Sequence, residues 1–144
     1  PASHTCCMMK KYPPKSIDFL GGHFIMKEKI AASGSVMSLL DEKGELTEIP
    51  CDYCFNNLFI NCPLTQAPDL PATALTKGCY KEMFKRCYFL QKAPELPAET
   101  VKDESYEEMF NGCYSLSEMP KLPATTLGKR CYAEMFVGCT NLTK

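Results

Sequence analysis

The residues whose type and spacing best suit chemistry are three cysteines: Cys51 and Cys54 form a Cys-x-x-Cys pair, and Cys62 follows. Their thiolates resemble part of a structural zinc site, which needs four ligands around one ion. The same pair would support redox chemistry only where its surroundings lower a thiol pKa, and no thioredoxin-like pattern surrounds it. Because no second closely spaced pair accompanies these residues, the sequence predicts no bound metal and no cofactor.

A row of carboxylates is the second candidate, since Glu82, Glu108 and Glu134 recur at one fixed spacing. Glycoside hydrolysis by paired acids needs one carboxyl group whose pKa is raised by burial. Positions beside a Met on a predicted helix instead favour a row of solvated charges, with weak divalent-ion binding as the alternative. His4 and His23 lie near no recognisable nucleophile motif. The sequence therefore predicts a protein that is not an enzyme.

The composition narrows the class of protein further. A chain of 144 residues with 45% hydrophobic and 23% charged residues fits one globular domain and is too short for a two-domain enzyme. The formal net charge of -1 provides no basic field for nucleic acid. No stretch approaches the roughly 18 apolar residues of a membrane helix. The ten Cys and eleven Pro are unusual and need a structural explanation.

A repeat accounts for most of these cysteines and prolines. The chain from Pro68 onward aligns in ungapped rows that begin at Pro68, Pro94 and Pro120. The same residue stands in all three rows at ten columns. In the first row these are Pro68, Leu70, Pro71, Ala72, Tyr80, Glu82, Met83, Phe84, Cys87 and Leu90. Residues 54–62 form a degraded fourth copy. We therefore divide the chain into an unassigned segment (1–23), a cap (24–50) and a repeat array (51–144), with units at 51–67, 68–93, 94–119 and 120–144.

Each unit has two halves with different patterns. Tyr106, Met109, Phe110 and Cys113 are spaced i, i+3, i+4 and i+7, which predicts one short helix per unit. Residues 90–93 and 116–119 predict short strands, which the following prolines limit to three or four residues. Short strands and helices that recur must stack to bury their faces. We therefore expect an α/β solenoid of the leucine-rich-repeat type, with an N-terminal β-rich cap and an open C-terminal end.

The unit resembles a known repeat. Leu-Pro-x-x-x-Leu followed by Tyr-x-x-Met-Phe-x-x-Cys-x-x-Leu is similar to the BspA-type leucine-rich repeat of surface and secreted proteins of gut bacteria, over about residues 24–144. The resemblance implies a non-catalytic, extracellular or cell-surface protein that mediates adhesion to a host or bacterial surface protein or a glycan. Such an implication is associational, because a repeat scaffold fixes a surface and not a ligand.

The remaining cysteines leave two alternatives open. Cysteines eight residues apart recur in the units, but Ser105 replaces the first of them in the middle unit. This loss favours free thiols packed in the core over bridges within units. Bridges between neighbouring units remain the alternative. Cys6 and Cys7 stand apart from the repeat, and a lipid-anchoring role for them is not favoured by the residues before them.

A ligand surface is expected at the columns that vary between units. The candidate ligand-binding residues are Tyr88, Gln91, Lys92, Glu95, Tyr114, Ser117, Glu118 and Lys121. The two tyrosines can stack on a sugar or anchor a protein, although packing along the flank of the array is the favoured alternative for them. The rival function is structural: the uncapped C-terminal repeat would dock onto another copy or a neighbouring subunit of a filament, phage particle or larger surface assembly.

Overall fold

The computed structural model describes residues 17–143, so His4, Cys6, Cys7 and Lys144 lie outside the described residues. Its regular elements are few and short. They are β1 (Ile17–Leu20), β2 (His23–Met26), β3 (Ile30–Ala31), a 3₁₀ turn (Val36–Leu39), β4 (Leu64–Gln66), β5 (Thr100–Val101) and β6 (Thr126–Leu127). The described strands pair as β1 with β2 antiparallel, β3 with β4 parallel and β5 with β6 parallel.

The hairpin of β1 and β2 turns at Gly21 and Gly22, whose φ angles of 65° and 87° suit a tight hairpin turn. The second strand then joins the repeat array. The Phe24 amide donates to the Leu58 carbonyl at 2.8 Å, and the Phe24 ring stacks on Phe59 with centroids 5.1 Å apart. Strands therefore lie at the start of residues 24–50, while the boundaries of the cap stay a prediction.

The segment that was predicted to be helical is a coil of successive turns. Gly78, Glu82 and Arg86, at every fourth position, have φ angles of 61°, 55° and 60°. A left-handed residue at this interval interrupts an α-helix. Within the unit, the Met83 amide donates three residues back to the Tyr80 carbonyl at 3.1 Å. We call such a run of four-residue turns a turn coil; the array has one in each unit, at residues 52–61, 77–86, 103–112 and 129–138.

Alternate amides of the turn coil bond to the next unit. The amides of Tyr80, Glu82 and Phe84 donate to the carbonyls of Ser105, Glu107 and Met109 at 3.0, 2.9 and 3.0 Å. An α-helix would use the same donors internally, four residues back. The turn coil thus exchanges internal hydrogen bonds for a ladder between units, and this ladder holds the repeats in register.

The predicted α/β solenoid with a helix in each unit is therefore wrong. Among residues 17–143 the structure has no α-helix, and its strands form only two-stranded sheets. Over eight residues, apolar positions at i, i+3, i+4 and i+7 satisfy a four-residue coil as well as a helix of 3.6 residues per turn. The strands predicted at 90–93 and 116–119 reduce to one parallel bridge between Lys92 and Glu118. No helix in the described part of the chain is long and apolar enough to cross a membrane.

Equivalent side chains of neighbouring units form the core. The rings of Phe59, Phe84, Phe110 and Phe136 stack in one column, with successive centroids 5.7, 5.6 and 5.9 Å apart. A parallel column contains Phe55, Tyr80, Tyr106 and Tyr132 at 6.1, 6.0 and 5.7 Å. Burial of such a ring contributes about 1.5–3 kcal/mol. These columns and the amide ladder together set the spacing and register of neighbouring units.

Candidate functional site

A groove lies where the variable segments of two adjacent units run side by side. The parallel bridge between Lys92 and Glu118 aligns the two segments. The groove has a volume of about 420 Å³. It is lined by Lys92, Ala93, Pro94, Glu95, Leu96, Pro97, Glu118, Met119, Pro120, Lys121 and Pro123.

Four of the eight predicted ligand-binding residues meet in this groove, namely Lys92, Glu95, Glu118 and Lys121. All four are exposed. They supply two positive and two negative charges around an apolar surface, to which the 46% exposed Met119 contributes. The arrangement suits a ligand that has both polar groups and an apolar face.

A second groove, with a volume of about 500 Å³, continues from the first onto the preceding units. Gln91, a fifth predicted residue, lines it together with Gln66 and Asp69. Lys92 and Glu95 line both grooves, so the two form one connected surface. Ser117 serves a different purpose, because its amide donates to the Gln91 carbonyl at 3.2 Å and so belongs to the ladder between units.

Tyr88 and Tyr114 form a separate surface feature and line neither of these grooves. Their rings stack on each other with centroids 4.9 Å apart and an interplanar angle of 11°. They remain 41% and 52% exposed. Nearby in sequence, the exposed ring of Phe89 has the Lys29 ammonium 4.2 Å from its centroid. The two tyrosines thus form an exposed stacked pair on the surface of the array.

The groove also contains residues that the sequence analysis did not single out. Pro94, Pro97, Pro120 and Pro123 belong to constant columns, for which the sequence predicts only a limit on strand length. Pro97 and Pro123 are nevertheless exposed. The sequence did contain a signal for the groove: the two proline columns recur in successive units, so their rings line the same surface.

The cysteine cluster is structural. Cys51 and Cys54 are each engaged in a disulfide bond, so neither is a thiolate ligand. Burial raises the pKa of the free thiol of Cys62 to about 12. Within residues 17–143 no group of three or more His, Cys, Asp or Glu side chains is arranged to hold a metal ion.

The second cysteine of each unit forms a ladder of its own. The thiols of Cys87, Cys113 and Cys139 donate to the carbonyls of Phe59, Phe84 and Phe110 at 3.1 Å each. Cys62 makes the same contact with the Phe24 carbonyl at 3.3 Å. Burial raises the pKa of Cys113 to about 12, and a protonated thiol is a poor nucleophile. These side chains therefore act as small apolar donors in the core.

The column of the first cysteine in each unit also places a small, buried side chain in the core. Ser105, which replaces the cysteine there, is fully buried, and its hydroxyl lies within donating distance of two carbonyls, those of Thr76 at 3.1 Å and Lys102 at 2.9 Å. Its counterparts Cys79 and Cys131 are free and buried. The column thus accepts a hydroxyl or a thiol, which explains why the middle unit does without the cysteine.

The glutamate column was predicted to be a row of solvated charges, and only the last of its three residues is exposed. Glu82 and Glu108 are half-buried, and the Lys85 ammonium lies 3.4 Å and 3.1 Å from their carboxylates. Glu134 is exposed. Since Lys85 already supplies a positive charge between two of the three carboxylates, the column gives no support for the divalent-ion alternative.

Comparison of the chain with protein families, with curated proteins and with solved structures found no match. The resemblance to BspA-type repeats therefore stays a prediction based on the residues of the unit.

Proposed function

We propose that this protein is a non-catalytic recognition module that binds a protein or a glycan in the groove between residues 92–97 and 118–123. The observation that carries the proposal is the meeting of four variable, charged side chains in one groove. Variable positions on a repeat scaffold are where a ligand surface can change without loss of the core.

The dimensions and supports of the groove favour binding. Its volume of about 420 Å³ lies within the range of about 300–1,000 Å³ that is typical of ligand pockets. The segments on either side are held by buried neighbours, since Leu90 and Leu116 are fully buried and Ala93 and Leu96 are nearly so. A groove on such a support needs little ordering when a ligand binds.

The proposal includes an extracellular or cell-surface location and the resemblance to BspA-type adhesion proteins. The disulfide bonds of Cys51 and Cys54 support an oxidising compartment. The partner is then a host or bacterial surface protein or glycan.

The test is a glycan and surface-protein array screened with the purified chain, followed by the double substitution Lys92→Ala and Lys121→Ala. Both side chains are exposed, so we expect the variant to keep its fold and to lose tenfold or more in affinity for any ligand found. Lys102→Ala is the matched control, because Lys102 is also exposed and does not line the groove. A blank array, or equal losses for the variant and the control, would refute the groove as the binding site.

A second candidate function is docking of another polypeptide onto the C-terminal unit, as in a filament, phage particle or larger surface assembly. It is favoured by five alternate amides of the last unit, those of residues 130, 132, 134, 136 and 138, which have no acceptor within residues 17–143. The equivalent amides of the unit before donate to carbonyls of the last unit.

A further inference from the structure

The two sides of the array use charge differently. On the side of the turn coils, ion pairs cross the unit boundaries, as where the Lys81 ammonium lies 2.9 Å from Glu104. In the groove, Lys92, Glu95 and Lys121 are exposed, and none of these three forms an ion pair within residues 17–143. The charges of the turn coils thus join the units, whereas those of the groove can pair with a ligand.

The four charges of the groove stand in two columns of opposite order. Lys92 and Glu118 belong to one column, and Glu95 and Lys121 belong to a second column three residues further along the chain. Along the array the first column is positive and then negative, and the second is negative and then positive. Three residues of extended chain span at most about 10 Å, so the two columns form the borders of one narrow strip.

The spacing of the units suits an extended polypeptide that runs along this strip. Successive rings of the phenylalanine column, from Phe84 to Phe136, are 5.6 and 5.9 Å apart. In an extended chain, residues i and i+2 point to the same side and lie about 6.5 Å apart, while residue i+1 points to the opposite side. Alternate residues of such a peptide therefore meet successive members of one column, and the residues between them meet the other column.

The lining of the groove favours a polypeptide over a glycan. The apolar face of a sugar packs well on the flat face of an aromatic ring. Among the described residues that line the two connected grooves there is no aromatic side chain, and Tyr88 and Tyr114 stack on each other elsewhere. The apolar surface comes instead from proline rings and Met119, beside charges of both signs. A polypeptide carries both signs of charge, so it can match this surface.

We propose that the groove binds an extended polypeptide segment in which four successive residues are acidic, basic, basic and acidic. Along the segment these residues face Lys92, Glu95, Glu118 and Lys121 in turn. The order reads the same from either end, so it holds for both directions of the segment. The proposal rests on the proposed function of the groove and adds the class and the charge order of its ligand.

The charges provide selectivity more than affinity. An exposed ion pair changes affinity by only about 1.5-fold to fivefold. Four such pairs that are all matched in one order and all opposed in the reverse order should discriminate by about tenfold or more. The remaining affinity comes from apolar contact with the proline rings and Met119, which does not depend on the charge order.

The test compares two synthetic peptides of identical composition. Both have Thr-Val-Thr at each end, which favours an extended conformation. The first has Glu-Lys-Lys-Glu at its centre and the second has Lys-Glu-Glu-Lys. Each is titrated into the full chain labelled with ¹⁵N. We expect the amide resonances of residues 92–97 and 118–123 to shift, and the first peptide to bind about tenfold more tightly than the second.

Reversal of the groove charges should reverse this preference. The variant combines Lys92→Glu, Glu95→Lys, Glu118→Lys and Lys121→Glu. All four side chains are exposed and the net charge is unchanged, so we expect the fold to persist, which the amide resonances of the core residues check. This variant should bind the second peptide about tenfold more tightly than the first.

The matched control is Glu99→Lys with Lys102→Glu, a charge exchange at exposed residues that do not line the grooves. It should leave the preference unchanged. Equal binding of both peptides in the groove, or an unchanged preference in the reversed variant, would overturn the charge order and leave the proposed function standing. Binding of a glycan but of neither peptide would overturn the polypeptide ligand alone. A groove that binds neither peptide and nothing on the glycan and surface-protein array would remove the proposed function as well.

Discussion

Residues 94–119 and 120–143 are built from the same ten constant columns, yet they have different environments. Tyr106 and Phe110 are 2% and 0% exposed, whereas Tyr132 and Phe136 are only half-buried. The difference arises because the middle unit has a neighbour on each side and the last unit has one among the described residues. Burial in this array is thus a property of position in the stack as much as of sequence.

The largest expected difference between the two units concerns the phenylalanine column. Phe110→Ala should lower the free energy of unfolding by about 3–5 kcal/mol, because it leaves a cavity between two stacked rings. Phe136→Ala should cost less than half as much, because one side of that ring is open. Urea denaturation of both variants measures the difference, and equal losses would show that the last unit is packed as tightly as the middle one.

The thiol ladder gives a pH-dependent difference of intermediate size. Burial raises the pKa of Cys113 from 9.0 to about 12. Since the folded chain holds this proton more tightly than the unfolded chain, the thiol's contribution is complete below pH 9 and is lost as the pH rises toward 12. The loss is up to about 1.4 kcal/mol per pH unit.

Cys113→Ala should therefore flatten the fall in stability between pH 9 and pH 11, and Cys139→Ala should flatten it less, because Cys139 is only half-buried. Urea midpoints at pH 7, 9, 10 and 11 provide the slope for each variant. An identical slope in wild type and Cys113→Ala would contradict the protonated thiol in the core.

The smallest difference concerns the glutamates. A hydrogen bond from Lys81 lowers the pKa of Glu104, and the Tyr53 hydroxyl donates to the same carboxylate at 3.2 Å. Glu104→Gln should cost about 0.5–1 kcal/mol, whereas Glu134→Gln, on the exposed end of its column, should change stability by less than about 0.5 kcal/mol.

The cost of Glu104→Gln should shrink in 1 M salt, where exposed charges are screened. Thermal unfolding at low and high salt separates this electrostatic contribution from packing. A loss that does not depend on salt would assign the effect of Glu104 to its contacts and not to its charge.

The sequence was sufficient to align the units and insufficient to give their backbone. The columns of Met109 and Phe110 follow from the spacing alone, and both residues are fully buried. The backbone between them was mispredicted because nothing in the residue types reveals that Glu82 and Glu108 have φ angles of 55° and 54°. Glutamate rarely adopts this region, and the ladder between units is what holds it there.

The candidate site was only partly predicted, because the sequence identifies variable columns and not their positions in space. Variable columns indicated Lys92 and Lys121, which do share a groove. Tyr88 and Tyr114 were predicted on the same ground, since their column also varies, but they stack on each other and do not line the groove. The disulfide bonding of Cys51 and Cys54 depends on distances that spacing along the chain does not provide.

The ladder of amides has a mechanical consequence. Since alternate amides in the turns of every unit before the last bond to the next unit, a unit that separates from its neighbour loses a whole row of hydrogen bonds together with its ring contacts. Melting of one repeat therefore exposes the next, so the described array should unfold as a single cooperative block and, under load, yield all at once instead of shedding one repeat at a time.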